Sequence, residues 1–354
     1  MAQGWLAPTR YIRNPNVMIT AREARVEAFV LHHLGDRTVL SDFSARLEGD
    51  EEQAFLCRLF LKPFSQASYT AEFAHAVDPK YNVLYGIVSG MQGAPDIVPA
   101  SIAIARHLDA VSQHHRIGPS DMFVVQLSGV EFQGGQYEAV GIYKFDAKEV
   151  FLESEVKGET IGMRLKRGLG QGKPTKACLV LFTEATPTLL IVDDQGTTGY
   201  WQNDFICHRP KRDHVNSTRS VLEMTRSFIT EQLPADYEIG KADQIDLLNR
   251  SVSYFKEHAT FDRQEFAQEV FQEEAVIKSF ERFGDDVRQQ TDVHFDDSFA
   301  IAPQAVKRQA RIFKSVIKLD RNFHIYIHGD RSRIEQGVDE AGRKYYRIYY
   351  DQEL

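Results

Sequence analysis

DMFVVQLSGVEFQGGQYEAVGIYKF, from Asp121 to Phe145, decides the fold class. Two runs rich in Val, Phe, Tyr and Ile flank Gly134-Gly135, the pattern of antiparallel strands joined by a tight turn. Upstream, ARVEAFVLHHLGD (Ala24 to Asp36) alternates well enough to be an earlier strand. Downstream, EVFLESEV, CLVLFTEA and TLLIVDD continue the series, the last two joined by a turn around Pro187. Helical spacing occurs at Glu51 to Phe64, stopping at Pro63, and at Pro99 to Ser112, with Ile102, Ala105 and Leu108 on one side. The expectation is α+β: an N-terminal, mostly antiparallel sheet with helices, then a helical region, then a C-terminal helix plus β-hairpin. The expected borders are an irregular arm over 1–22, an α+β domain over 23–210, an acidic helical region over 211–298, and a basic helix and hairpin over 299–354.

With 354 residues, 43% hydrophobic and 26% charged, the chain suits two globular domains. Apolar runs such as CLVLF are too short to span a bilayer, and the first residues hold no continuous apolar segment, so neither membrane nor secretory signal is expected. Cys57, Cys178 and Cys207 are scattered and odd in number, which points to a reducing cytoplasm rather than a disulfide frame or zinc site.

From His214 onward the pattern turns helical: Val221 to Leu233, Ala242 to His258, Arg263 to Gln272 and Glu274 to Phe283. In the second of these, Ile245, Leu248, Val252 and Phe255 make a core stripe. Between Glu257 and Asp297 stand twelve acidic and four basic residues, a difference as large as the net charge of −8 for the whole chain. That region is a solvated outer face, or a candidate docking surface for a protein partner.

The next segment reverses the sign. Pro303 to Lys318 holds five basic residues and no acidic one. At about 100° per residue, Val306, Ala310, Phe313 and Ile317 fall on one stripe, and Lys307, Arg311, Lys314 and Lys318 on another about a quarter-turn away. Phe323, Ile325 and Ile327 then alternate with Asn322, His324, Tyr326 and His328, predicting a half-buried strand. KYYRIYYDQ is expected to pair with it across a long loop holding Arg331 and Arg333.

Several chemical motifs fail. GLGQGKPTK (Gly168 to Lys176) is not a Walker loop: Gly168 stands one residue too close to Gly172-Lys173, and Pro174 takes the hydroxyl position. A flexible basic hairpin loop is expected instead, with Arg164, Lys166, Arg167, Lys173 and Lys176 as secondary phosphate contacts. Asp193 and Asp194 end an apolar strand and point to opposite faces, so a turn-capping pair is expected. Either one joined by Glu153 or Glu184 could make a metal site, the basis of a nuclease or phosphoryl-transfer alternative. His324 and His328 would lie roughly 13 Å apart on a strand, too far to share a metal. His32-His33, His114-His115 and Ser128-Gly129 lack a partnered nucleophile. No catalytic residue, resident metal or cofactor is expected.

QARIFKSVIKLDRNFHIYIHGDR and the closing GRKYYRIYY resemble the C-terminal signature of the bacterial nucleoid-associated protein family of the NdpA type. KADQIDLLNRSVSYFKEH, YWQNDFICHR, YEAVGIYKF and SIAIARHLDAVSQHHRIGPSDMFVV extend the resemblance from about Val26 onward. It implies a cytoplasmic protein of the nucleoid that binds DNA, and it brings no catalytic motif. The resulting expectation is a non-enzymatic protein that contacts the backbone of double-stranded DNA with little sequence preference. Lys307, Arg308, Arg311, Lys314, Lys318, Arg321, Arg331 and Arg333 would meet phosphates, with His324 and His328 beside them. A homodimer is expected from the tyrosine-rich C-terminal hairpin. An adaptor that recruits a protein partner to DNA is the remaining alternative.

Overall fold

The computed structural model describes residues 19–352 apart from 48, 68, 171, 194–198, 291–294, 312–315, 320 and 327–332. It divides into two compact units, Met1–Lys211 and Arg212–Leu354.

In the first unit, β1 (Ile19–Thr20) and β2 (Arg25–Leu34) precede α1 (Asp50–Leu61), which runs into a 3-10 turn at Lys62–Gln66. β3 (Ala71–Phe73), α2 (Val83–Ser89) and α3 (Val98–Val111) follow. Then come β4 (Ser120–Phe132), β5 (Gly135–Phe145), β6 (Glu149–Lys157), β7 (Thr160–Gly168), β8 (Lys176–Leu181), β9 (Thr188–Asp193) and β10 (His208–Pro210). Eight strands form one antiparallel sheet in the order β1-β4-β5-β8-β9-β3-β10, with β2 also paired to β4.

The hairpin expected at Gly134 is the centre of this sheet, with Val124 opposite Ile142 and Leu127 opposite Ala139. Its strands are apolar on both sides because helices cover both faces. Val124, Val140, Ile142 and Val180 pack with Leu84 and Val88 of α2 and Ile104 and Leu108 of α3. The alternate residues Phe123 and Tyr143 meet Phe60 of α1, with ring centroids 5.5 and 4.7 Å apart. Register shifts between Leu127 and Val130, where Gly129 has φ +61° and a Cβ would come within 2.5 Å of the Glu23 carbonyl oxygen. Only glycine fits this bulge.

The second unit holds α4 (His214–Ser227), a π-turn at Phe228–Gln232, α5 (Leu233–Asp236), α6 (Lys241–Glu257), β11 (Thr260–Asp262), α7 (Arg263–Phe271) and α8 (Glu274–Gln290). β12 (Ser298–Ala300), α9 (Pro303–Ala310), β13 (Val316–Leu319), β14 (Phe323–Tyr326), β15 (Ile334–Val338) and β16 (Lys344–Ile348) complete it. Asp213 and Asp262 cap α4 and α7 by accepting backbone N–H groups of the first turn. The core stripe read on α6 is buried at all four positions. Phe228, Phe255, Phe261, Phe266 and Phe280 gather with it, and Val306 of α9 joins the same core. A smaller core of Ala242, Ile245, Ile317 and Ile334 docks the C-terminal strands on α6.

Three sequence expectations change. The basic helix ends at Ala310, so Ile317 and Lys318 sit on β13 rather than on a continued helical stripe. Val316–Leu319 is too short for its period to separate helix from strand, and its β-branched residues gain a partner strand. KYYRI pairs with Ile334–Val338, while Phe323–Tyr326 pairs with β13. In both cases the neighbour across a short turn wins over the distant one, as loop-closure entropy favours. Arg164, Lys166 and Arg167 lie on β7, paired along its length with β6 through a turn at Gly158, so only the residues after Gly168 form a loop.

Candidate nucleic-acid interface

On α9, Pro303 opens the first turn and Ala305, Val306 and Gln309 turn inward. The Gln309 amide donates to Glu223 of α4 at 2.9 Å, and Arg219 donates to the same carboxylate oxygen at 2.8 Å. Lys307, Arg308 and Arg311 are left on the exposed side. Partial burial, then the like charges of Arg219 and Arg311, push the Arg308 guanidinium below its ordinary pKa. Arginine keeps its proton regardless, so this is a crowded positive cluster. Among the described residues none of Lys307, Arg308 and Arg311 has an ion-pair partner. Arg219 was missed in the sequence because only the packing of α9 on α4 brings it there.

The second basic group is on the β13–β14 hairpin. Ile317 pairs with Ile325 facing α6, and Lys318 pairs with His324 on the opposite face. Tyr326 shares that outer face and is 64% exposed. Lys318, His324 and Arg321 in the turn are exposed. Arg333 is exposed but bound to Asp351 at 2.6 Å. Lys314, His328 and Arg331 lie outside the described residues.

In the first unit the expected secondary contacts scatter. Arg164, Lys166 and Arg167 are exposed on β7, with Lys166 held by Glu153 at 2.7 Å. Lys173 instead meets Arg58 and Lys62 around a small cavity of about 60 Å³, beside Gly170 and Gly172. Those glycines make room for Glu149, whose carboxylate oxygens would lie 2.9 and 3.0 Å from added Cβ atoms. The loop thus packs around a carboxylate of its own chain. Lys176 is buried, and its ammonium lies 2.5 Å from the Asp193 carboxylate, directly opposite on β9. It is therefore withdrawn from any phosphate surface. Gln202 donates to the other Asp193 oxygen at 3.1 Å, so this carboxylate is fully engaged. Asp194 lies outside the described residues.

The acidic helices are partly self-neutralised. Arg263 pairs with Asp285 and Asp297, Arg288 with Asp297, and Lys278 with Glu274. The remaining carboxylates exceed the local cations. One group absent from the sequence reading could hold a metal ion: His258, Glu265 and Glu269 offer ligand atoms within 4.8 Å of one another. Local contacts already account for it, since Tyr254 donates to Glu265 at 2.9 Å and His258 lies 3.6 Å from Glu269.

A family model described as Nucleoid-associated protein YejK matches residues 30–351. The chain belongs to this bacterial nucleoid-associated family. The match spans the central sheet, the acidic helices and both basic groups of the second unit, so membership concerns the whole architecture. No curated protein matches the chain. No described helix is long and apolar enough to cross a membrane.

Proposed function

We propose that this member of the nucleoid-associated family binds DNA, double-stranded by preference, through its phosphates and with little sequence preference. The observation that carries the reading is the cluster on α9: Lys307, Arg308 and Arg311 stand together without a carboxylate partner among the described residues, crowded further by Arg219. Such a cluster lowers its own repulsion by taking up anions. Lys318 and Arg321 add charge, and His324 with Tyr326 offers imidazole and phenol groups beside it. Lysine and arginine contacts to phosphates position a protein without reading sequence, which supports little sequence preference. The engagement of Asp193 by Lys176 and Gln202 counts against the phosphoryl-transfer alternative.

The test is fluorescence anisotropy of a labelled duplex titrated across a salt series. The variant is Lys307→Glu/Arg308→Glu/Arg311→Glu, with its fold checked by circular dichroism. Losing three phosphate contacts lowers the slope of log K against log salt by about 2.7, at about 0.9 per contact. An unchanged slope and affinity would remove α9 from the interface. Scrambled duplexes should bind within a few-fold of one another, and supercoiled plasmid should survive incubation with magnesium or manganese. The carboxylate excess on α7 and α8 supports a second contact, to a basic protein, which pull-down after nuclease treatment would reveal.

A further inference from the structure

The β6–β7 ribbon is the least accounted-for element of the first unit. Its two strands pair with each other only, and no other described element packs on them to more than a marginal extent. The register places Val150, Leu152 and Val156 of β6 and Ile161, Met163 and Leu165 of β7 on one face. All six are between 54% and 74% exposed. The opposite face carries Glu149, Glu153 and Glu155 against Arg164 and Lys166, with Glu153 and Lys166 in contact at 2.7 Å.

From the apolar face of this ribbon we infer a homodimer interface in which the ribbons of two copies of the chain pack face to face. Three observations select a second copy over another occupant. The first is area. Six side chains at this exposure present roughly 600 Å², the upper end of what monomers leave bare. Two copies then bury about 1,200 Å² in total, the threshold of a stable interface. The second is charge. Residues 149–168 hold four acidic and four basic residues, so the ribbon is neutral on a chain of net charge −8. It attracts neither DNA nor a strongly charged protein, and it does not repel itself.

The third is the division of charge between its two strands. On the face opposite the apolar one β6 carries the glutamates and β7 carries Arg164 and Lys166, while Arg167 stands beside Val150 at the end of the apolar face. Pairing β6 with β6, or β7 with β7, would align like charges, and such edges resist strand addition. A two-fold axis parallel to the strands instead lays each β6 over the partner's β7. This buries apolar face against apolar face and turns the charged faces outward to solvent, an isologous contact. The tyrosine-rich C-terminal hairpin is not needed for it.

The test uses the full chain without DNA, so its outcome is separate from that of the DNA-binding reading. Sedimentation velocity at micromolar concentration should show a dimer for the parent and a monomer for Leu152→Glu/Leu165→Glu. Circular dichroism and Trp201 fluorescence should match the parent, since both substituted side chains are exposed. A Glu153→Gln/Lys166→Gln variant, altered on the charged face only, should remain dimeric. A monomeric parent would overturn the inference and leave the face to a different protein. A dimer that survives Leu152→Glu/Leu165→Glu would also overturn it and move the interface elsewhere, the C-terminal hairpin included.

Discussion

Replacing Lys176 by Met tests whether the β8–β9 ion pair is structural. Lys176 and Asp193 face each other across the ladder with side chains 6% and 3% exposed. The ammonium also lies 5.2 Å from the centre of the Tyr200 ring. Removing the cation leaves a carboxylate out of water with only the Gln202 amide in support. Stranding one partner of a buried pair costs about 3–5 kcal/mol, and the Gln202 hydrogen bond places this case near the lower figure. Replacing both, Lys176→Met/Asp193→Leu, removes charge and counter-charge together and should lie within about 1 kcal/mol of the parent. Trp201 is fully buried in the same unit and reports its unfolding. In a Trp5→Phe background, urea denaturation at pH 7 should show the single variant's midpoint lower by about 1–2 M, for m near 2 kcal/mol/M, with the double variant recovering most of it. A single variant less than 1 kcal/mol below the parent, or a double variant no better than the single, would refute the argument. Restoration of the single variant by manganese would return Asp193 to metal chemistry.

Gly129→Ala should destabilise the first unit by about 1–3 kcal/mol, because it forces a Cβ at positive φ against the Glu23 carbonyl; thermal unfolding measures it. Burial lowers the pKa of both His32 and His208, so the folded chain keeps them neutral where the unfolded chain begins to take up protons. Their contribution is undiminished above the unfolded value near 6.5 and is lost as pH falls from there towards the folded values, at no more than about 1.4 kcal/mol per pH unit for each group. His32→Asn, which can still accept the Ser41 N–H, should flatten the fall in urea midpoint between pH 6.5 and 5; an unchanged profile would exclude His32 as its source.

Where a pattern was long and periodic, the residues announced their structure. Thirteen residues of β4 and the four-point stripe of α6 could have only one reading each. Val316–Leu319 could not, because four residues satisfy a helix or a strand equally until a partner is known. Thr160–Gly168 was hidden by composition: glycines and cations suggest a loop, yet its partner β6 lies just across a two-residue turn. The candidate interface was half legible. Lys307, Arg308 and Arg311 appear as a cationic run, but Arg219, Arg58 and Lys62 join basic clusters only through tertiary packing. The withdrawal of Lys176 depends on cross-strand register, which sequence alone does not supply.

Chain order and sheet order diverge at β3. This short strand is made early, but both of its neighbours come late: Ala71 pairs with Leu189, and Ala71 to Phe73 pair with Pro210 to His208. The Asn82 amide then ties the start of α2 to the carbonyls of Ile206 and Cys207. Such long-range pairing slows folding, because the intervening chain must be ordered first. During synthesis the sheet cannot close until residues up to Pro210 have emerged, at the border of the second unit. A chain stalled or cleaved before Leu189 leaves β3 with neither partner and β8 with an open edge, available to any other unfinished copy nearby.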